Sequence, residues 1–530
     1  MKKLIPFIAL AALLGGSSCS EKYLDQINTN PNAASANNLD PNYLLTDGEL
    51  TFANTGYGQL LYEAPAIQGL ASTFNYYGNG DKYVNAGGFT GYQALIFSQG
   101  YTALSRLQQA ISVANAQSAT RYANVIAISN IMKVMIFQRI TDTYGDVPYS
   151  QAVQAASGIV TPQYDKQQDI YPALLTQLDA AITSLNSTGA KATGDLLYGG
   201  DVTQWKKLGY SLMVRVAMRM TKVNPALAKT YTEKAAAAGT MTGTSDNAIV
   251  KTDISYGDTQ NATTNALLTT DDFREVKWSK TIIDYLRNTS DPRLGAIAEI
   301  PQPGAGNNAN QALPGDNTPS LQRGLPNGYD LTGGANDIRK RADYPGPTGS
   351  GSDQAPLGNY SRPRLQVYIQ RNAPIYLLTY AETELLLAEA ASRGWSVGAD
   401  AATHYANGLR SALESLGQFS TNAAIPTATI TAFVAANPLG AANPLQQINE
   451  QYWLETCTTF NFIEAWTNWR RSGYPVLTPV NYPGNVTNGT IPRRMIYPAT
   501  EIGNNPAGYA SGVASLNGGD LLTSRVWWDK

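Results

Sequence analysis

Apolar residues three and four apart recur through most of this chain, and that spacing commits it to helices packed through one face. In RYANVIAISNIMKVMIFQRITDTYG the face is Val125, Ile128, Met132, Met135, Ile136 and Ile140, and Gly145 and Pro148 end the run. In YDKQQDIYPALLTQLDAAITSL it is Ile170, Leu174, Leu178, Ile182 and Leu185, with Asp165 three residues before Gln168 as the expected cap. Asp201 and Gln204 repeat that device ahead of Trp205, Leu208, Leu212 and Val216. A later stripe of Leu378, Ala381, Leu385 and Ala388 stops at Gly394 and pairs with HYANGLRSALESLG. Asn443-Pro444 opens a last helical region with proline in the first turn, and Cys457 inside it reads as a small buried apolar residue. Helices following one another across short turns, with alanine-rich faces, pack as hairpins in the manner of a repeat array.

Two regions break this pattern. From Pro301 to Arg364 glycine and proline are too dense for regular helices, within a loop-rich block expected at about 239–364. A second such block runs over about 475–521. The expected fold class is therefore mainly α, a helical-hairpin scaffold carrying a second, irregular loop-rich lobe. Loops held by a rigid scaffold are where binding surfaces usually lie.

Composition removes whole classes of chemistry. The 530 residues carry a formal charge of −2, so nothing suggests a nucleic-acid partner. His404 is the single histidine, which rules out a three-histidine zinc site within one chain and leaves any Ser-His-Asp triad dependent on that residue. Its other reading is a helix-surface or partly packed residue. No GxSxG, Walker-type, GxGxxG or CxxC motif occurs, and no metal site or cofactor is expected. Paired carboxylates remain the one catalytic option, with Asp271 and Asp272 as adjacent candidates for a glycoside hydrolase. A helical-repeat scaffold that binds only protein is the third reading.

The N-terminus sets the location. Lys2 and Lys3 precede an apolar run from Leu4 to Leu14, too short to span a bilayer, and small residues lead to Cys19. Residues 1–18 read as a lipoprotein signal peptide, with Cys19 as the cleavage point whose thiol receives lipid; Gly16 stands where the usual box has an aliphatic residue. Residues 19–42 read as a polar tether, and 43–530 as the folded domain.

Seven segments taken in order resemble the SusD/RagB family of nutrient-binding outer-membrane lipoproteins of Bacteroidetes. They are FQRITDTYGDVPYSQAV, TPQYDKQQDIYPALLTQLDAAI, DPRL at Asp291, PIYLLTYAETELLLAEAASRGW, EQYWLETCTTFNFIEAWTNWRRSGYP, IPRRMIYPATEIGNN and SRVWWDK. The resemblance covers nearly the whole chain after the signal peptide. It implies a tetratricopeptide-like helical scaffold with an irregular lobe, no enzymatic activity, and a lipid anchor facing the cell exterior. It also implies capture of an oligosaccharide or peptide for a partner TonB-dependent transporter barrel (SusC-like), with ligand held by loops from an early and a central part of the chain.

Sugar recognition needs flat apolar faces beside directed polar groups, and tyrosine and tryptophan supply both. The 31 tyrosines against 11 phenylalanines suit that need, although tyrosine also packs between helices. In FNYYGNGDKYVNAGGF the candidates are Asn75, Tyr76, Tyr77 and Asp81, with Tyr83 close by. In DDFREVKWSK and QRGLPNGYDLTGG they are Trp278, Arg323, Tyr329 and Asp330, with Asp272 beside them. The competing reading of each is packing within the loops.

Overall fold

The computed structural model describes residues 38–85, 87–346 and 356–530. The signal peptide, Cys19 and nearly all of the expected tether lie outside the described residues. The first helix, α1 (Pro41–Ala53), opens slightly before residue 43 because the Asp40 carboxylate accepts the Asn42 N–H and proline occupies the first turn.

The scaffold follows in hairpins. Helices α2 (Leu95–Ser118) and α3 (Ala123–Tyr144) are joined by a short turn, and α1 packs on α2. Next come α4 (Gln167–Ser184), α5 (Val202–Arg219) and α6 (Pro225–Ala238), each packed on its predecessor. After the lobe come α9 (Tyr380–Ser392) with α10 (Ala401–Phe419), then α11 (Pro444–Thr458) with α12 (Phe462–Ser472). The intervening α7 (Thr270–Glu275) and α8 (Lys280–Asn288) belong to the lobe. The fold is mainly α, as the helical spacing predicts.

Close approach within the hairpins depends on glycine. A Cβ on Gly100 of α2 would sit 2.7 Å from Ile140 of α3, and one on Gly408 of α10 would sit 2.8 Å from Leu385 of α9. The α3 helix is buried on nearly every side, beyond the stripe read from its spacing. Two of its buried polar residues tie it to its surroundings: Asn124 donates to the Asn186 and Ala190 carbonyls, and Asp142 accepts from Tyr171 and Trp528.

Several local expectations need revision. Asp165 does not cap α4. It lies on a strand, and its carboxylate accepts the Tyr149 and Ser150 N–H groups; the first N–H of the helix, that of Gln167, goes instead to the Asp146 carboxylate at 2.8 Å. Asp201 does cap α5, accepting from Thr203 and Gln204. The last helical region is two helices, broken at Phe460, whose φ of 59° ends α11. His404 is buried, between the Glu384 carboxylate at 3.0 Å and the Val397 carbonyl at 3.2 Å. Gly145 and Gly473 take φ of 90° and 83° at helix ends. Cys457 and Trp528 are core residues.

The lobe is stitched by two-stranded antiparallel pairs. β1 (Leu70–Ala71) pairs with β5 (Lys277–Trp278), with Leu70 opposite Trp278. β6 (Ala298–Glu299) pairs with β7 (Arg362–Pro363). Two further pairs, β2 (Val147–Pro148) with β3 (Tyr164–Asp165) and β4 (Ala248–Val250) with β8 (Ile375–Leu378), brace the scaffold. Ala71, Leu325, Ile338 and Tyr360 form a small core of their own beneath the loops, and Tyr329, Leu331 and Tyr344 pack against it.

Candidate functional site

A cleft of 540 Å³ opens in the loop lobe, within the range of small-ligand pockets. Three stretches far apart in sequence line it: the first turn of α8, the 326–341 loop, and residues 478–481. The α8 turn is fixed because the Ser279 hydroxyl accepts the Ile282 N–H. This sets Lys280, Thr281 and Asp284 on the cleft wall, with the Lys280 ammonium paired to the Asp284 carboxylate one turn on. Gln68 ties two walls together. Its Nε2 donates to the Thr478 carbonyl at 2.6 Å, and its Oε1 accepts from the Thr281 hydroxyl at 2.6 Å.

Asp81 shapes the cleft from below. It is buried beside the Lys82 ammonium at 3.1 Å, and its two oxygens accept from Asn327 Nδ2 at 2.7 Å and the Gly328 N–H at 3.0 Å. Gly328 needs its φ of 83° to make that turn. Asn336 Nδ2 bridges the Gly328 and Asn481 carbonyls at 2.9 and 3.0 Å. Tyr329 stands half-buried on the wall. Its hydroxyl accepts from Arg341 Nη1 at 2.6 Å, and the guanidinium also lies 4.9 Å from the ring centre. Arg341 forks onto Asp343 with two bonds of 2.7 Å, and that hydrogen bonding holds its pKa above the ordinary arginine value. Asp330 is buried behind the wall. Burial raises its pKa, but hydrogen bonds from Tyr482 and Thr332 outweigh it and leave the carboxyl below its usual range.

The early loop builds a separate aromatic ledge. Tyr76 meets Tyr57 and Tyr92 edge-on at 5.4 and 5.8 Å and donates its hydroxyl hydrogen to Tyr92 at 2.7 Å. Phe74, 38% exposed, and Asn75 lie at its open edge. Beneath it Asp272 accepts from Tyr77 at 2.6 Å and Tyr57 at 2.8 Å. Burial drives the Asp272 pKa up, against those two bonds.

The sequence candidates therefore divide. Tyr329 lines the cleft, and Asp81 and Asp330 hold its loops from behind. Asn75, Tyr76 and Tyr77 belong to the ledge. Trp278 reaches neither surface: it is 0% exposed, edge-on to Tyr368 and Phe460, with Nε1 donating to the Ile297 carbonyl at 3.0 Å. Its indole is core and offers no face to a ligand, while its carbonyl accepts from the Leu325 N–H and anchors the cleft loop. Arg323 lines a different cleft. Asp271 and Asp272, adjacent in sequence, diverge: Asp271 is exposed and paired to Arg274, while Asp272 is buried under the tyrosines. They form no catalytic pair. Sequence reasoning missed Gln68, Lys280, Thr281, Asn336 and Arg341. Only the Lys280/Asp284 spacing was a readable signal; nothing local brings residues 478–481 to Asn336.

Among the described residues no cluster of metal-ligating side chains occurs, and no helix is long and apolar enough to cross a membrane. A family described as starch-binding and associating with the outer membrane matches residues 31–498. A search of curated proteins finds no match. Solved structures are similar over almost the whole chain. One, named a chitin-binding protein, is 32% identical with a TM-score of 0.77 over 92% of this chain and 100% of its own. A Bacteroidetes SusD-like protein is 25% identical with a TM-score of 0.79, over 93% and 100% of the two chains. A SusD homologue from Bacteroides uniformis is 25% identical with a TM-score of 0.72 over the same shares. With the family match over most of its length, this chain belongs to the SusD-like family of glycan-binding, outer-membrane-associated proteins.

Proposed function

We propose that this chain is a cell-surface lipoprotein, anchored through lipidated Cys19, that captures an oligosaccharide and delivers it to a partner TonB-dependent transporter barrel. The observation that carries the ligand class is the wall of the 540 Å³ cleft, where a half-buried tyrosine stands beside amides and neutralised charges. Tyr329 offers a flat face for sugar C–H groups. Gln68, Asn327 and Asn336 spend their amide hydrogens on the loops, so the polar groups left for hydroxyls are few and fixed. Lys280 and Arg341 are each paired with an aspartate, which suits an uncharged ligand. Chitin oligomers are the first ligand to try, given the 32% identity to a chitin-binding protein.

Titration calorimetry of the full chain with chitohexaose, maltohexaose and a mixed peptide library tests this. Saccharide binding lost in Tyr329→Ala supports the reading; binding of peptide alone replaces it. Mass spectrometry of the N-terminal peptide tests acylation of Cys19. Co-purification of a large barrel protein in detergent tests the delivery step.

A further inference from the structure

We infer that the loop lobe carries a second saccharide cleft, separate from the one around Tyr329, with the Arg323 guanidinium as its donor and Pro301, Pro303 and Leu321 as its apolar wall. The inference rests on the glycan reading above. This cleft measures 660 Å³ and shares no lining residue with the first.

Its frame is rigid. Ile300 and Asp316 exchange backbone hydrogen bonds of 2.9 and 2.8 Å, which locks the 300–303 segment to the 315–317 segment. Fully buried Gln322 donates to the Asp316 and Thr318 carbonyls, both at 2.9 Å, and accepts from the Ser361 hydroxyl at 2.8 Å. The backbone of Arg323 is pinned on both sides: its N–H donates to Ser361 Oγ at 2.8 Å, and its carbonyl accepts the Ser361 N–H at 2.7 Å.

Above this fixed backbone the Arg323 side chain is exposed and makes no hydrogen bond or ion pair among the described residues. That separates it from Arg341, which is committed to Asp343 and Tyr329. Leu321, 46% exposed, adds apolar surface on the same wall. The acceptor side is Asp316, whose carboxyl is held below its usual range by the Thr318 hydrogen bonds and so is ionised. A donor fork without a partner among the described residues, an ionised acceptor and the exposed apolar surface of Pro303 and Leu321 match a hydroxyl-rich sugar.

The two clefts border one extended stretch, since Arg323 lines one and Pro326 the other. Three residues of chain span at most about 11 Å. An oligosaccharide engaging both therefore gains effective concentration at the second site.

The test is calorimetry of the full chain with chitohexaose and chitobiose, on wild type, Arg323→Ala/Leu321→Ala and Tyr329→Ala/Arg341→Ala, with thermal melts to confirm folding. Losing a charged donor and an apolar contact predicts about a tenfold loss of chitohexaose affinity in the first variant. Residual binding is expected in the second, and two chitobiose per wild-type chain. Wild-type affinity in Arg323→Ala/Leu321→Ala, or complete loss of binding in Tyr329→Ala/Arg341→Ala alone, overturns the second cleft while leaving the first. If wild type binds neither sugar nor maltohexaose, the glycan reading falls and this inference falls with it.

Discussion

The helical scaffold and the outer wall of the cleft use charged pairs in opposite surroundings. In the scaffold, Arg215 of α5 pairs with Glu382 of α9 at 2.8 Å, and Arg219 pairs with Glu464 of α12 and lies 3.4 Å from Asp142 of α3. The Tyr452 hydroxyl of α11 lies between Glu382 and Glu464, within hydrogen-bond distance of both carboxyl groups at 2.8 and 2.6 Å. All these groups are buried, so five helices share one ionic knot. Around the cleft, Lys280–Asp284 and Arg341–Asp343 are solvated pairs. Burial makes a pair essential to the helices that share it. Solvation makes a pair nearly irrelevant to stability and free to meet a ligand.

The largest way to test this contrast is Arg219→Met. It removes the cation between Asp142 and Glu464 and leaves Glu464 only the Arg215 guanidinium at 3.9 Å, and breaking a buried pair costs about 3–5 kcal/mol. Urea unfolding should show that loss as a lower midpoint with unchanged slope. A change under about 1 kcal/mol would mean that the knot tolerates rearrangement and that the contrast is wrong.

The two regions also differ in how pH acts on them. Burial raises Glu63 to about 8 in the scaffold, against the opposing charges of Arg470 and Arg139. Between about 4.5 and 8 the folded state holds a proton there that the unfolded chain has lost, so this group's contribution to stability falls as pH rises through that window. Glu63→Gln should flatten that slope. Asp330 in the lobe is shifted down, so its contribution is present above about pH 4 and is lost as pH falls through its folded pKa. Asp330→Asn should remove part of the acid-side loss. Thermal melts from pH 3 to 9 check both; an unchanged slope in Glu63→Gln would contradict the raised pKa.

The same contrast explains what was legible beforehand. The scaffold announces itself because each helix carries its own period: the Ile170 to Leu185 stripe and the Asp201 cap are local facts. The lobe does not, because its geometry comes from long-range bonds such as Asn327 to Asp81 and Asn336 to Asn481, which leave no spacing to read. Residue type misled where packing decided. Trp278 has the chemistry of a sugar platform, yet its strand pairing with Leu70 turns it into the core. Tyr329 has similar chemistry and reaches the surface because the small core of Leu325, Ile338 and Tyr360 props it up.

Tyr329→Ala therefore should behave unlike a core substitution. Its ring is half-buried on a small satellite core, so the loss of stability should stay near 1 kcal/mol, within the ordinary range for a point substitution. Losing an aromatic face of about 0.5–1.5 kcal/mol predicts a several-fold to tenfold loss of saccharide affinity. Trp278→Ala, by contrast, should cost about 3–5 kcal/mol and lower binding only through unfolding or loop disorder. Equal effects of the two on stability would erase the distinction between them.

The smallest effect is expected at the Lys280–Asp284 pair. Lys280 and Asp284 are one turn apart and solvated, so Asp284→Ala should cost about 0.3–0.5 kcal/mol of stability, a shift of one or two degrees at most in a chain this long. The variant leaves the Lys280 ammonium without its carboxylate in the wall of the cleft, and also frees Arg287, which pairs with Asp284 at 3.2 Å outside the cleft lining. Affinity for chitohexaose should stay within about threefold, because a neutral sugar gains no charge pairing. Affinity for a uronic-acid hexamer should rise, and the gain should shrink in 0.5 M salt, where the screening length is only a few ångströms. If the ratio of the two affinities does not move, the Lys280 ammonium does not face the ligand, and the pair belongs to the helix rather than to the cleft.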